Sequence, residues 1–216
     1  VIEECYVADS YIAGRDHVGA IVGDITHFTV GEEEAEKVNY YCTVRNCHSG
    51  AYVYSREYQA GGIVGIIRGG TIEKCYFSGK VEAKEGRSAG IVSLVDNDEP
   101  GELKNNINLA AAIYNLNGQT YRIGDWGGRG PSSDTYPVKF LNNWSVSASY
   151  LGSNLDESAK ASNENDASSM NGSNVDRDSD DKARTSSFYT TTLGWDFTDI
   201  WKFMPNTEGK MYPVLK

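Results

Sequence analysis

The chain has 216 residues, of which 39% are hydrophobic, a share that supports a packed core rather than wholesale disorder. Acidic residues outnumber basic ones by 30 to 20, and the resulting net charge of −10 disfavours nucleic acids and anionic membranes as partners. No run of eighteen apolar residues occurs, so the sequence predicts no bilayer-spanning helix.

A repeated unit runs through the first two-thirds of the chain. Each copy has an aliphatic residue three positions before a Cys or Asn, at Cys5, Cys47, Cys75, Asn106 and Asn143. In the first three copies an Ile lies sixteen residues after the Cys, inside a Gly-containing element. In the fourth copy the Ile lies seventeen residues after the Asn. A nearly fixed offset with variable lengths between copies is typical of a solenoid, in which equivalent residues stack from rung to rung.

The repeat is predicted to be β rather than α, because short runs of Ile, Val and Tyr are broken by Gly and Asn. Six residues after each Cys or Asn, a mostly apolar column is predicted at Tyr11, Val53, Val81 and Ala112. The glycines are expected at corners with positive φ, or where a neighbouring backbone lies close. Residues 1–150 are therefore predicted to form a parallel β-solenoid of four to five rungs.

The segment Ala60-Gly-Gly-Ile-Val-Gly-Ile-Ile-Arg-Gly-Gly-Thr-Ile-Glu-Lys-Cys-Tyr-Phe-Ser-Gly-Lys-Val81 resembles the GLUG repeat of bacterial surface proteins almost throughout. The resemblance implies an all-β fold, a right-handed parallel β-helix, that is displayed at the cell surface or secreted. It also implies adhesin-like proteins or a neighbouring protease domain as the usual context. No catalytic residues belong to the repeat, so the resemblance assigns none here.

Two segments follow the repeats. Residues 151–187 are predicted to be a polar insertion or linker, because 20 of the 35 residues from 153 to 187 are Ser, Asn or Asp. Such a segment buries too little apolar surface to offset its ordering entropy, so we expect it to be mobile. Residues 188–216 resemble the segment that commonly closes such arrays, and we expect a C-terminal aromatic cap over the open end of the solenoid. The predicted capping side chains are Trp195, Phe197, Trp201, Phe203 and Leu215.

The sequence predicts no metal site and no cofactor. Asp176-Arg-Asp178-Ser-Asp180 opens like a calcium loop, but its sixth and twelfth places, which need Gly and Glu, hold Asp181 and Ser187. The three His and four Cys form no zinc-binding spacing. The three Cys of the repeated column are expected to stack as buried, inert thiols.

Candidate ligand-binding residues lie on the loop after the fourth copy, in Gly-Asp125-Trp126-Gly-Gly-Arg129-Gly-Pro, followed by Tyr136. The ring of Trp126 offers a flat face for a sugar, and Asp125 and Arg129 supply hydrogen bonds. In the alternative interpretation, Trp126 folds back over the edge of its own rung. Both interpretations remain open at this point.

The favoured function is a non-enzymatic extracellular recognition or adhesion module, whose loops bind a glycan or a host surface protein. One alternative is a polysaccharide lyase or hydrolase that uses the carboxyl groups of Asp96, Asp98 and Glu99, which would have to lie roughly 5 to 9 Å apart beside a groove. The same residues also make a good turn. A structural stalk without a ligand is the other alternative. Because Val1 is followed by no basic and apolar leader, we expect a trimmed chain whose targeting segment has been removed.

Overall fold

The chain folds into successive rungs of a parallel β-helix, which confirms the predicted all-β solenoid. The computed structural model describes residues 1–32, 36–96, 99–127, 138–146, 150–152, 173–175, 181–205 and 211–216. Within these ranges, four rungs have five strands each and a fifth rung has three.

The strands of each rung follow one another around the solenoid. The first rung contains β1 (Ile2–Glu3), β2 (Tyr6–Val7), β3 (Tyr11–Gly14), β4 (Val18–Gly19) and β5 (Val22–Thr26). After an antiparallel hairpin of β6 (Phe28–Val30) and β7 (Val38–Tyr40), the second contains β8 (Cys42–Arg45), β9 (His48–Ser49), β10 (Tyr52–Ser55), β11 (Gln59–Gly61) and β12 (Val64–Arg68). The third contains β13 (Gly70–Glu73), β14 (Tyr76–Phe77), β15 (Lys80–Ala83), β16 (Arg87–Ala89) and β17 (Val92–Val95). The fourth contains β18 (Gly101–Lys104), β19 (Ile107–Asn108), β20 (Ala112–Asn115), β21 (Gln119–Tyr121) and β22 (Gly124–Asp125).

The last described elements complete the solenoid and add a C-terminal unit. The fifth rung contains β23 (Val138–Leu141), β24 (Trp144–Val146) and β25 (Tyr150–Gly152). Strand β26 (Ser173–Val175) pairs with β24, inside the predicted polar insertion. A 3-10 helix (Asp181–Arg184), a π-helical turn (Phe188–Thr192) and an antiparallel hairpin of β27 (Trp201–Pro205) and β28 (Met211–Leu215) follow. The rest of the predicted insertion, 153–172 and 176–180, lies outside the described residues.

Equivalent strands of successive rungs stack into five parallel sheets around one apolar core. Sheet 1 contains β1, β8, β13, β18 and β23; sheet 2 contains β2, β9, β14, β19, β24 and β26; sheet 3 contains β3, β10, β15, β20 and β25. Sheet 4 contains β4, β11, β16 and β21, and sheet 5 contains β5, β12, β17 and β22. Inward side chains repeat from rung to rung, so that Val44, Ile72 and Leu103 form one buried column. None of the helices in the described part of the chain is long and apolar enough to cross a membrane.

The turn from sheet 1 to sheet 2 has the same backbone conformation in every rung. The residue immediately before each Cys or Asn of the repeat has a φ between 52° and 56°, in the left-handed region. These residues are Glu4, Asn46, Lys74, Asn105 and Asn142. Asn tolerates this conformation better than most residues, whereas Glu and Lys are strained there.

The predicted inner column of sheet 3 is wrong by one residue in two rungs. The inward residues of the pairs are Ile12, Val53, Val81 and Ile113, so Tyr11 and Ala112 lie on the outer face instead. The corner between sheets 2 and 3 contains three residues in the first and fourth rungs but only two in the second and third. That extra residue shifts the alternation of side chains by one position.

The glycines of the GLUG-like segment serve both predicted roles: Gly69 and Gly70 have positive φ, at 86° and 119°, whereas Gly62 is required by close backbone approach. A Cβ on Gly62 would lie 2.1 Å from the carbonyl oxygen of Gly90 and 2.4 Å from the ring of Phe77. Any side chain at this position would therefore push the second and third rungs apart.

The predicted aromatic cluster forms, but it covers the side of the solenoid rather than its end. It packs on the outer face of sheet 2, where Trp195 lies 6.3 Å from Tyr76 and Phe188 lies 5.2 Å from Trp144, measured between ring centroids. The indole N–H of Trp195 donates to the carbonyl of Asn105 at 3.0 Å. Outward apolar and aromatic residues of sheet 2 explain this position, because they would otherwise be exposed to water.

The cysteines are all free thiols, and two of the three in the repeated column are buried as predicted. Cys47 and Cys75 are fully buried, whereas Cys5, in the first rung, is exposed. In the fourth and fifth rungs the column continues as Asn106 and Asn143, which are fully buried and hydrogen-bonded to each other at 3.0 Å.

Candidate functional site

The structure describes two of the four predicted ligand-binding residues. Asp125 is buried and forms an ion pair with Arg87, while the half-buried ring of Trp126 lies 5.5 Å from that of Phe140 and packs against the core. Trp126 thus covers the edge of its rung, as the alternative interpretation expected. Arg129 and Tyr136 lie outside the described residues, so sugar binding by this loop stays a prediction.

The acidic corner considered for polysaccharide cleavage is engaged in internal contacts. Asp96 accepts a hydrogen bond from Arg68 at 3.3 Å, and Glu99 accepts one from the Tyr41 hydroxyl at 2.7 Å. Glu99 also lies 3.6 Å from His27. Asp98 lies outside the described residues.

A cluster of tyrosines on the outer face of sheet 3 is the candidate site that the geometry brings together. We call it the tyrosine face, and it consists of Tyr11, Tyr52, Tyr54, Lys80 and Glu82. The ring of Tyr11 lies edge-on to Tyr52 at 5.1 Å and stacks with Tyr54 at 6.5 Å, measured between centroids. Tyr11 is 61% exposed, so one ring of the cluster is open to solvent.

Charged neighbours hold the tyrosine face in place. The ammonium group of Lys80 lies 4.4 Å from the ring centroid of Tyr52 and 3.1 Å from the carboxylate of Glu82. The hydroxyl of Tyr52 donates a hydrogen bond to the same carboxylate. Burial, followed by the contact with Glu82, raises the pKa of Tyr52, so this phenol stays neutral at physiological pH.

This arrangement suits binding to a ring-shaped polar ligand. An exposed phenol ring packs against the apolar face of a sugar, and neighbouring hydroxyl and ammonium groups donate hydrogen bonds to its hydroxyls. Among the described strand residues that point outward from sheet 3, Glu82 is the single carboxylate, and both Tyr52 and Lys80 already contact it. Paired-carboxylate hydrolysis therefore has no second partner among these residues.

The sequence contained a signal for this site. Tyr52-Val53-Tyr54-Ser55 alternates, so with Val53 inside, both tyrosines must point outward. The constant offset of six residues from the Cys pairs Tyr11 with the inward Val53 and so hides Tyr11 as a surface residue, whereas the structure pairs it with Tyr52. Placing the more apolar Ile12 in the core would have set Tyr11 beside Tyr52.

No group of three or more His, Cys, Asp or Glu side chains within the described ranges is placed to hold a metal ion.

Comparisons with known proteins agree with the fold and its motif. Residues 57–82 match the GLUG motif, a span that begins two residues after β10 and ends within β15, about one turn of the solenoid later. No curated protein matches the chain in sequence. The chain is similar in structure to a crystal structure described as a "putative immunoglobulin A1 protease" from Bacteroides ovatus, with a TM-score of 0.61 and 15% identity. The similarity covers 98% of this chain and 67% of that one, and at this identity it supports the fold alone.

Proposed function

We propose that the chain is a recognition module of an extracellular or cell-surface protein, and that its tyrosine face binds a glycan. The observation that carries the proposal is the exposed ring of Tyr11, which is supported by Tyr52 and Tyr54 on a sheet of stacked strands. The GLUG motif supports a surface location, because the resemblance implies proteins displayed outside the cell.

A rigid support gives this surface an advantage in binding. Every strand of sheet 3 is hydrogen-bonded to a strand of the neighbouring rung, so the three tyrosine backbones are fixed before a ligand arrives. Binding to a preformed surface avoids much of the entropy that a flexible loop would lose. The predicted loop at Trp126 is a second candidate site on the same solenoid.

The test is a polysaccharide and glycan array, followed by titration of each hit with the wild type, Tyr11→Ala and Trp126→Ala. We expect Tyr11→Ala to weaken binding about tenfold or more, because a stacked aromatic ring contributes on the order of 1 kcal/mol beyond its buried area. Tyr58→Ala is the matched control, since Tyr58 is 48% exposed and lies outside the tyrosine face.

The outcomes separate the candidates. Loss of binding in Tyr11→Ala but not in Tyr58→Ala supports the tyrosine face, and loss in Trp126→Ala alone moves the site to the predicted loop. If Tyr11→Ala and Trp126→Ala both bind with the affinity of the wild type, both sites are refuted. Absence of binding to every glycan would leave a protein partner or a stalk.

A further inference from the structure

A groove of about 480 Å³ lies between the outer face of sheet 2 and the C-terminal hairpin. The solenoid contributes Asp9, Tyr76 and Ser78 to its walls, and the hairpin contributes Tyr212 together with the exposed side chain of Met204. The groove is separate from the tyrosine face, which lies around the next corner on sheet 3. It therefore belongs to neither of the sites considered above.

The polar side chains of this groove have no hydrogen-bonding or ion-pair partner among the residues that the structure describes. Within the described ranges, the carboxylate of Asp9 forms no ion pair, and the hydroxyls of Ser78, Tyr76 and Tyr212 form no hydrogen bond. Burial is the main cause that raises the pKa of Tyr76, but Tyr212 and Asp9 raise it further, which places these groups near one another. A concave surface with several convergent polar groups that lack internal partners is typical of a binding site.

The ring of Tyr76 is not available to the groove as a stacking face for a sugar. One face of the Tyr76 ring is stacked on His48 at 4.9 Å, and the ring also contacts Trp195 and Trp201, so only the edge with the hydroxyl is left for the groove. A sugar needs an open aromatic face. The opposite wall contains Met204, Pro205 and Val214, which suits a chain of methylene groups.

We propose that this groove binds the side chain of a lysine or arginine of a partner polypeptide. The cationic group pairs with Asp9 and donates further hydrogen bonds to the hydroxyl oxygens of Ser78, Tyr76 and Tyr212. The aliphatic stem packs along Met204 and the apolar wall of the hairpin. The net charge of −10 favours the approach of such a basic partner.

The test uses methyl-labelled methionine, because the chain has only three methionines and Met204 lines the groove. The probes are three blocked pentapeptides, Gly-Ser-X-Ser-Gly, in which X is lysine, arginine or Nε-acetyl-lysine. We expect lysine and arginine peptides to shift the Met204 methyl signal saturably with a Kd of about 1 mM, and the neutral acetyl-lysine peptide to leave it unchanged.

Asp9→Asn should weaken binding of the charged peptides about tenfold or more, because it removes the carboxylate while keeping the side-chain shape. Glu57→Gln changes the net charge equally, and since Glu57 pairs with Arg15 at a different corner, it should leave the affinity unchanged. The spectrum of each free variant reports whether it is folded.

Three results would overturn the proposal: no saturable shift up to about 10 mM peptide, equal binding of acetyl-lysine, or equal affinity of Asp9→Asn. The titration is independent of the tyrosine face, so the outcome of the glycan array leaves it unaffected.

Discussion

Replacing Asn106 with Ala should destabilise the solenoid more than any exposed substitution. The side-chain amide of Asn106 donates to the carbonyl of Ile72 at 2.9 Å and to the amide oxygen of Asn143 at 3.0 Å. Its own oxygen accepts the backbone N–H of Cys75 at 3.0 Å. One buried side chain thus joins three successive rungs.

The magnitude follows from the groups that lose a partner. In Asn106→Ala, the N–H of Cys75 and the carbonyl of Ile72 lose these hydrogen bonds in a fully buried position, at about 1–3 kcal/mol for each unsatisfied group. Relaxation of the rungs recovers part of this, so we expect the free energy of unfolding to fall by about 3 kcal/mol. Asn106→Cys should cost less, because Cys75 occupies the same column with its thiol donating to the carbonyl of Glu73 at 3.2 Å.

The assay is denaturant unfolding followed by tryptophan fluorescence, with Asn117→Ala as the control. Asn117 is exposed and its side chain makes no hydrogen bond among the described residues, so its loss should change stability by less than about 0.5 kcal/mol. A loss below about 1 kcal/mol in Asn106→Ala would refute the argument that this side chain holds the rungs together.

Two further predictions concern the corner residues and the stacked aromatic column. Lys74→Asn should raise the free energy of unfolding by about 0.5–1 kcal/mol, because φ at this position is 53° and Asn adopts this conformation more easily than Lys. The measurement is the denaturant midpoint of this variant, compared with that of the exposed control Lys84→Asn. A lower stability of Lys74→Asn would contradict the prediction. His48 is stacked between two tyrosines, and burial lowers its pKa from 6.5 to about 4, so the unfolded state binds the proton more tightly. Stability should therefore fall by about 1–2 kcal/mol between pH 7 and pH 5, and an equal fall in His48→Phe would show that another group is responsible.

The core of the fold was predictable because stacking demands repetition. The constant distance from each Cys to the following Ile places Ile21, Ile63 and Ile91 in one column, and backbone hydrogen bonds between these rungs confirm it. The turn before each Cys was not predictable from composition, since Glu4 and Lys74 occupy a left-handed conformation that their residue types disfavour. Tertiary stacking overrides that local preference.

The location of the aromatic cluster was not predictable, for a different reason. Whether aromatic residues cover an end or a side depends on which outer surface is apolar, and that depends on the register of sheet 2. The outward positions of this sheet hold Tyr76, Ile107 and Trp144, and the C-terminal unit buries all three at least in part. An alternating strand of two residues is too short to reveal this face from the sequence.

One inserted residue accounts for both proposed surfaces. The corner Ala8-Asp9-Ser10 joins β2 to β3 with three residues, where the second rung uses only Gly50 and Ala51. The longer corner places the carboxylate of Asp9 over Gly50, so close that a Cβ added to Gly50 would lie 2.6 Å from it. This position directs Asp9 into the groove. The same extra residue turns Tyr11 outward to join Tyr52, while Ile12 takes the inner position. Because inward columns keep the core continuous, a solenoid can change its binding surface at a corner with little effect on the fold.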